Sequence, residues 1–179
     1  MLKTVKIGSD ISASRLSYGC MRIGNKTEKE AAEAVETALA CEINFFDNAD
    51  IYCGGKSEEL FGRAVAGMDR SKIYIQSKCG IRKGFYDFSK EHIISSAENS
   101  IKRMNCAYLD VLCLHRPDVL MEGEEVAEAF DNLYSRGLVR NFGVSNFNPM
   151  QTELLKKYID YPLVVNQLQF SIFHTGMID

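Results

Sequence analysis

Short apolar runs alternate with amphipathic segments along almost the whole chain, and this alternation constrains the fold more than any other sequence feature. Six runs have the length of strands, and several are rich in β-branched or aromatic residues: Leu16–Met21, Asn44–Asp47, Ile73–Ser77, Val111–His115, Asn141–Val144 and Val164–Gln167. Five segments have the periodicity and the caps or acidic first turns of helices: Lys26–Cys41, Ser57–Ala66, Ser89–Met104, Glu124–Ser135 and Pro149–Tyr158. The pattern predicts repeated βα units, preceded by a small hairpin within Leu2–Ile11.

The apolar character of the strands narrows the fold class to α/β. Strands that read as nearly continuous apolar runs are buried on both faces, as in a parallel sheet covered by helices. An open dinucleotide-binding sheet would carry Gly-x-Gly-x-x-Gly directly after its first strand. Gly19 and Gly24 are too far apart for that motif, and Gly54 and Gly55 follow the second strand. The sequence therefore favours a (β/α)8 TIM barrel, with residues 1–179 in a single domain.

The composition argues against several other classes. Hydrophobic residues make up 46% and charged residues 25% of the chain, and the net charge is -3, so no strong positive field predicts a nucleic-acid or membrane partner. Neither a secretion signal nor an apolar run of membrane-spanning length is present, so we expect a cytoplasmic location. The six cysteines form no Cys-x-x-Cys pair and the three histidines lack ligand spacing, so we expect neither a disulfide framework nor a metal site.

Chemically capable side chains stand where the predicted strands end. They are Asp47, Lys78, His115, the pair Ser145 and Asn146, and Gln167, which end or directly follow the second to sixth strands respectively. In a barrel, the carboxyl ends of all strands converge on one mouth, and catalytic residues come from several of them. The sequence therefore predicts that these residues lie together.

Four of these positions suggest acid–base chemistry. Lys78 directly follows an apolar strand, where an ammonium group requires a carboxylate partner, and Asp47 on the neighbouring strand can provide it. Tyr52 lies on the loop that leaves the second strand, but the pKa of a phenol, about 10, is too high for easy proton transfer at neutral pH. A nearby ammonium lowers that pKa, and His115 can share the proton and orient a substrate oxygen.

Five segments in this order resemble the successive motifs of the aldo-keto reductase superfamily. They are Asn-Phe-Phe-Asp-Asn-Ala-Asp-Ile-Tyr at 44–52, Ser-Lys-Cys-Gly at 77–80, Leu-His-Arg-Pro-Asp at 114–118, Gly-Val-Ser-Asn-Phe at 143–147 and Asn-Gln-Leu-Gln-Phe at 166–170. The resemblance spans nearly the whole chain, and it is greatest to a group of bacterial oxidoreductases. A short-chain dehydrogenase, by contrast, would place its tyrosine and lysine four residues apart on one helix.

This resemblance implies a role for each residue at the mouth. Tyr52 would be the general acid in the reduction of an aldehyde or ketone, Lys78 would lower its pKa, and Asp47 would hold Lys78. His115 would direct the carbonyl oxygen. The residues that would hydrogen-bond the nicotinamide carboxamide of NADP(H) are Ser145, Asn146 and Gln167, while Asp47 would also touch the nicotinamide ribose.

The resemblance also implies how many βα repeats a complete barrel would have. Barrels of this superfamily have eight repeats, and this sequence ends after the sixth predicted strand, so we expect an incomplete barrel whose uncovered edges promote self-association. Two functions remain open: an NADPH-dependent carbonyl reductase, or a catalytically poor binding or structural module. Among the residues that could border a substrate pocket are Met21 and Arg22, and Phe85 and Tyr86.

Overall fold

The computed structural model describes residues 3–176 of the chain. Its strands are β1 (Thr4–Ile7), β2 (Ile11–Ser14), β3 (Tyr18–Gly19), β4 (Phe45–Asp47), β5 (Tyr74–Cys79), β6 (Ile81–Arg82), β7 (Phe85–Tyr86), β8 (Leu109–Leu114), β9 (Val139–Ser145) and β10 (Leu163–Gln167). Its α-helices are α1 (Glu28–Ala40), α2 (Lys56–Ala64), α3 (Lys90–Met104), α4 (Gly123–Ser135) and α5 (Pro149–Leu155). Short 3₁₀ helices cover Cys20–Asn25, Tyr52–Gly55 and Arg70–Lys72.

Six strands form one parallel sheet in the order β3-β4-β5-β8-β9-β10. Neighbours in the sheet are therefore also successive barrel strands along the sequence, which is the connectivity of a βα barrel. The sheet curls into part of a barrel and carries the helices on its outer side. The predicted α/β class, the TIM-barrel architecture and the six-strand arrangement are confirmed.

The hairpin formed by β1 and β2 lies against the amino ends of the barrel strands. Ile11 and Ala13 of β2 pack with Phe45, Val111 and Cys113 in a small cluster. The Asn44 side chain, just before β4, accepts a hydrogen bond of 2.7 Å from the backbone of Ser14 in β2. This hairpin therefore closes the end of the barrel opposite the carboxyl ends of the strands. The predicted hairpin at Leu2–Ile11 lies too early, because the second strand runs to Ser14; Leu2 itself lies outside the described residues.

The main core lies between the sheet and its helices. Phe130 of α4 stacks on Phe142 of β9 with ring centroids 3.8 Å apart. Gly62 brings α2 against α3, since a Cβ at that position would lie 2.6 Å from the Cα of Met104. This packing holds the helices against the outer face of the sheet.

Several predicted elements are shorter in the structure, among them the first barrel strand and the last helix. Of the predicted strand Leu16–Met21, only Tyr18–Gly19 pairs with β4, and the chain then turns into the 3₁₀ helix Cys20–Asn25. This turn brings Gly24 so close to α2 that a Cβ would lie 2.8 Å from the Ser57 hydroxyl. Helix α5 ends at Leu155 rather than at the predicted Tyr158. The backbone N–H of Lys156, just after this end, donates to the carbonyls of Thr152 and Leu154.

Thr27 and Glu30 form the predicted capping box of α1.

Across residues 3–176, none of the helices combines the length and the apolar character that crossing a membrane requires. All six cysteines are free thiols.

Candidate active site

The mouth of the barrel collects the residues that the sequence placed at its strand ends. Asp47 closes β4, Lys78 lies near the end of β5, and His115 directly follows β8. The parallel register pairs Lys78 with Cys113, and the backbone N–H of His115 donates to the carbonyl of Cys79 over 2.9 Å. These three side chains therefore lie close together at the carboxyl ends of the adjacent strands β4, β5 and β8.

Lys78 is the centre of the arrangement. Its side chain is 1% exposed, and its Nζ lies 2.5 Å from Asp47 Oδ1, 2.8 Å from the carbonyl of Asn48 and 3.2 Å from the hydroxyl of Tyr52. Burial alone would lower the pKa of Lys78, but the Asp47 carboxylate and the Tyr52 hydroxyl outweigh it, and the pKa is raised. The ammonium form therefore persists at neutral pH, in direct contact with a phenol.

Tyr52 reaches Lys78 because the chain turns sharply after β4. The three residues after Tyr52 all have positive φ angles: 50° at Cys53, 64° at Gly54 and 91° at Gly55. Glycine adopts this region at little cost, which explains the glycine pair, whereas Cys53 adopts it against its preference. The turn leaves Tyr52 half-buried.

His115 stands on the other side of Tyr52. The two rings meet edge to face, with centroids 6.0 Å apart. Burial, together with the nearby Lys78 ammonium, lowers the pKa of His115 to about 4. Its ring is therefore neutral at physiological pH, and its buried Nδ1 has no hydrogen-bond partner within residues 3–176.

The three predicted carboxamide ligands lie together beyond Asp47. The Ser145 hydroxyl donates to the Gln167 carbonyl over 3.0 Å, and the Asn146 amide donates to Ser145 Oγ over 2.9 Å. The Gln167 amide donates to Asp47 Oδ2 over 3.0 Å. One network therefore joins these residues to the Lys78 ion pair. Asn146 is held there with a positive φ of 63°, a conformation that asparagine tolerates better than most residues.

This network still has hydrogen-bonding capacity for a carboxamide. Both amide hydrogens of Asn146 are taken, by Ser145 and by the His115 carbonyl, which leaves its Oδ1 as an acceptor. Gln167 accepts one bond from Gln76 and donates one to Asp47, so its amide can make one more of each kind. A carboxamide offers two N–H donors and one oxygen acceptor, and these groups complement it.

Sequence reasoning missed Gln76, which bridges the site. Its amide donates to Asp47 Oδ1 over 2.7 Å and to Gln167 Oε1 over 3.1 Å. The signal was present, because residues two apart on a strand share a face and Lys78 points into the barrel. It also missed the ion pair behind β5 between Glu58, which is fully buried, and Arg103, whose side chain is 25% exposed; their charged groups are 2.7 Å apart.

The predicted substrate-pocket residues are all exposed. Met21 and Arg22 lie on the 3₁₀ helix after β3, and the Cys53 thiol beside Tyr52 contacts the carbonyl of Met21 at 3.6 Å. Phe85 and Tyr86 form β7, whose hairpin with β6 follows the carboxyl end of β5. Met21 and Arg22 therefore lie near the turn that carries Tyr52, whereas Phe85 and Tyr86 lie on a separate hairpin.

Comparison with known proteins relates this geometry to a family. The sequence model of the aldo/keto reductase family matches residues 15–178. The uncharacterized oxidoreductase YcsN of Bacillus subtilis is 38% identical across 99% of this chain and 64% of its own length. A 6-dehydroglucose reductase of Agrobacterium fabrum is 35% identical across 97% of this chain and 64% of its own.

Solved structures with a similar fold were also found. The structure of glycerol dehydrogenase AKR11B4 from Gluconobacter oxydans superposes with a TM-score of 0.87 at 28% identity, over 98% of this chain and 57% of that one. The chain therefore spans a little under two thirds of the length of these curated relatives.

Proposed function

The chain belongs to the aldo/keto reductase family, and we propose that it reduces an aldehyde or ketone to an alcohol with NADP(H), using Tyr52 as the general acid. One observation carries the proposal: a buried ammonium group, Lys78, contacts the carboxylate of Asp47 at 2.5 Å and the phenol of Tyr52 at 3.2 Å. Few structural roles require a buried lysine to be shared between a carboxylate and a half-buried phenol, whereas proton transfer by tyrosine does.

Tyr52 supplies the proton of the reaction. A bound nicotinamide would supply the hydride for the carbonyl carbon, so that the π-electron pair of the carbonyl moves onto its oxygen. Tyr52 donates its phenolic proton to that oxygen, which gives the alcohol and leaves a phenolate. The Lys78 ammonium, 3.2 Å from the phenol oxygen, stabilises the negative charge. Asp47 holds Lys78 in place and keeps it charged.

His115 orients the carbonyl group. Because its pKa is about 4, the ring is neutral at physiological pH and carries a single N–H that can donate a hydrogen bond. A neutral donor can hold the substrate oxygen next to Tyr52 without competing for the proton. The edge-to-face contact with the tyrosine ring limits the orientations of both side chains.

Ser145, Asn146 and Gln167 would hold the nicotinamide carboxamide through the hydrogen-bonding capacity described above. Asp47 would touch the adjoining ribose while its other oxygen retains Lys78. Hydrogen bonds from these residues would restrict the orientation of the nicotinamide ring. Positioning of this kind is the other large contribution to the rate, besides proton donation.

The relatives suggest which substrates to test. Their names include 6-dehydroglucose reductase and glycerol dehydrogenase, which act on polyhydroxylated compounds by those names. We therefore propose small hydroxylated aldehydes and ketones as the first substrate set, with NADPH and NADH compared on each compound.

The deciding experiment follows the loss of NADPH absorbance with these substrates in the unmodified chain and in Tyr52→Phe. Removing one hydroxyl should reduce kcat by about 10² to 10⁴, the usual contribution of proton donation. Tyr134→Phe is the matched control, because this half-exposed tyrosine lies on α4 and should turn over like the unmodified chain. Equal rates in Tyr52→Phe and Tyr134→Phe would refute the assigned acid.

The same assay also tests a second function, a nucleotide-binding module that turns over no carbonyl compound. If the chain binds NADPH but does not consume it with any carbonyl, the result would favour a nucleotide-binding module that retains the mouth of a reductase.

A further inference from the structure

Glu58 is a fully buried carboxylate on the outer side of the barrel sheet. It lies on α2 and is 0% exposed. Its Oε1 accepts a hydrogen bond of 2.5 Å from the hydroxyl of Ser77, and its Oε2 accepts one of 2.7 Å from Nε of Arg103. An ionised carboxylate without water must be paired in this way, since an unpaired one would be very costly.

Through Ser77, Glu58 holds the strand that carries the catalytic lysine. Ser77 and Lys78 are consecutive in β5, and successive side chains of a strand point to opposite faces. Ser77 therefore points outward to α2, while Lys78 points into the barrel toward Asp47. The hydrogen bond to Glu58 fixes the backbone one residue before the ammonium group.

Through Arg103, the same carboxylate is linked to the turn that carries Tyr52. Gly55 ends that turn with a φ of 91°, and a Cβ there would lie 2.9 Å from Cδ of Arg103. The stem of Arg103 thus packs directly against the turn, and its guanidinium group lies against Glu58. Arg103 is held in turn by a hydrogen bond of 3.2 Å to Ser100 on its own helix, α3.

We propose that Glu58 and Arg103 are positioning residues, which set the distance between the Tyr52 hydroxyl and the Lys78 ammonium. Tyr52 and Lys78 lie 26 positions apart, one on the 3₁₀ turn Tyr52–Gly55 and the other on β5. The Glu58–Arg103 pair contacts both segments from behind, outside the reach of substrate. The proposal rests on the function proposed above, because this distance matters only if Tyr52 transfers a proton.

A purely structural ion pair would have a different signature. Loss of general stability would lower the fraction of folded enzyme, and NADPH binding capacity and turnover would fall together. Loss of positioning would lower kcat alone, because a displacement of about 0.5 Å at a catalytic group is enough to slow the chemistry while binding is kept. The two roles can therefore be separated by measuring kcat, KM and the NADPH dissociation constant on the same sample.

The main test compares Glu58→Gln with Glu59→Gln, its exposed neighbour on the same helix. Glutamine keeps an acceptor for Ser77 but removes the charge that holds Arg103. We expect kcat to fall about 10-fold in Glu58→Gln, with KM and the NADPH dissociation constant within about twofold of the unmodified chain. Glu59→Gln should match the unmodified chain. Unchanged kcat in Glu58→Gln, or a parallel loss of NADPH binding, would overturn the proposal.

Crystal structures of the same variants give a readout that does not depend on turnover. The Tyr52 Oη–Lys78 Nζ distance is 3.2 Å in the chain described here, and we expect it to lengthen beyond hydrogen-bonding range in Glu58→Gln. An unchanged distance would contradict the positioning role even if the chain proved to have another activity. Conversely, a longer distance in a chain that reduces no carbonyl would leave the positioning intact and refute only the proposed reaction.

Two milder variants cover the case in which Glu58→Gln does not fold. Ser77→Ala removes a single hydroxyl and leaves the Glu58–Arg103 pair in place, so we expect the same split between kcat and KM with a smaller decrease. Arg103→Lys keeps the positive charge, whereas Arg103→Met does not. Partial rescue of kcat by lysine relative to methionine supports the proposal, and equal kcat in the two variants would overturn it.

Discussion

Asp50 has a half-buried carboxyl group, and its partial burial predicts an unusual dependence of the free energy of unfolding on pH. It follows β4, and burial together with the Glu58 carboxylate raises its pKa from 3.8 to about 6, even though Ser96 and Arg103 act in the opposite direction. Its Oδ1 has no hydrogen-bond partner within the described part of the chain. Asp50→Asn removes the charge while nearly preserving the shape of the side chain.

The sign of the effect follows from the raised pKa. Between pH 3.8 and about 6, the folded chain retains a proton that the unfolded chain has lost, so this group favours folding most below pH 3.8 and its contribution is lost as the pH rises through 6. A shift of this size corresponds to about 3 kcal/mol, at about 1.4 kcal/mol per unit. Because the side chain is only partly shielded from water, we expect about 1 to 2 kcal/mol.

Urea unfolding of the unmodified chain and of Asp50→Asn, followed by circular dichroism, measures this contribution. At about pH 7.5, Asp50→Asn should be more stable than the unmodified chain, and its advantage should shrink by about 1 kcal/mol at about pH 4.5. Asp69→Asn is a control of opposite sign: hydrogen bonds from Ser71 lower the pKa of this exposed carboxyl group, so the substitution should cost more at the higher pH. An Asp50→Asn advantage that is the same at both pH values would refute the reasoning.

Three further predictions concern other parts of the molecule. Lys78→Met should reduce kcat by about 10² or more, and Lys78→Arg should retain more activity, as measured by NADPH consumption at matched circular dichroism; equal rates would contradict the role of the cation. Gly62→Ala should lower the free energy of unfolding by about 1 to 3 kcal/mol, because the new Cβ would lie 2.6 Å from Met104 backbone atoms; unchanged urea stability would contradict this packing. The 179-residue chain should bind an apolar dye or self-associate, because Phe170 and Phe173 after β10 are 60% and 84% exposed; a dye-negative monomer in sedimentation would contradict this expectation.

The sequence predicted the architecture well because one pattern governs it. Buried parallel strands require apolar runs, and the helices between them require amphipathic periodicity, so the order of elements can be read directly. The first barrel strand was predicted too long, since Leu16–Met21 is largely apolar although only Tyr18–Gly19 pairs. Hydrophobicity alone does not reveal where the chain turns away from the sheet to let Gly24 pack on α2.

The sequence predicted the candidate-site residues at strand ends and Tyr52 on the loop after β4, and it missed residues within a strand or on helices. Lys78 and Asp47 were identified because each ends or follows a strand in sequence, and the structure brings them within 2.5 Å. Gln76 was overlooked because it lies within a strand, although its spacing from Lys78 indicated the shared face. Glu58 and Arg103 lie on two helices, and their pairing across 45 positions depends on tertiary packing that a single sequence does not reveal.

The central claim is that the barrel mouth binds a nicotinamide cofactor next to Tyr52. The most direct test is a titration of the chain with NADPH, followed by the cofactor's own fluorescence, since the protein contains no tryptophan to compete with it. We predict saturable binding with a dissociation constant of about 1 µM to 100 µM, weakened in Gln167→Ala. A fluorescence signal that never saturates, or that saturates equally in Gln167→Ala, would contradict the account.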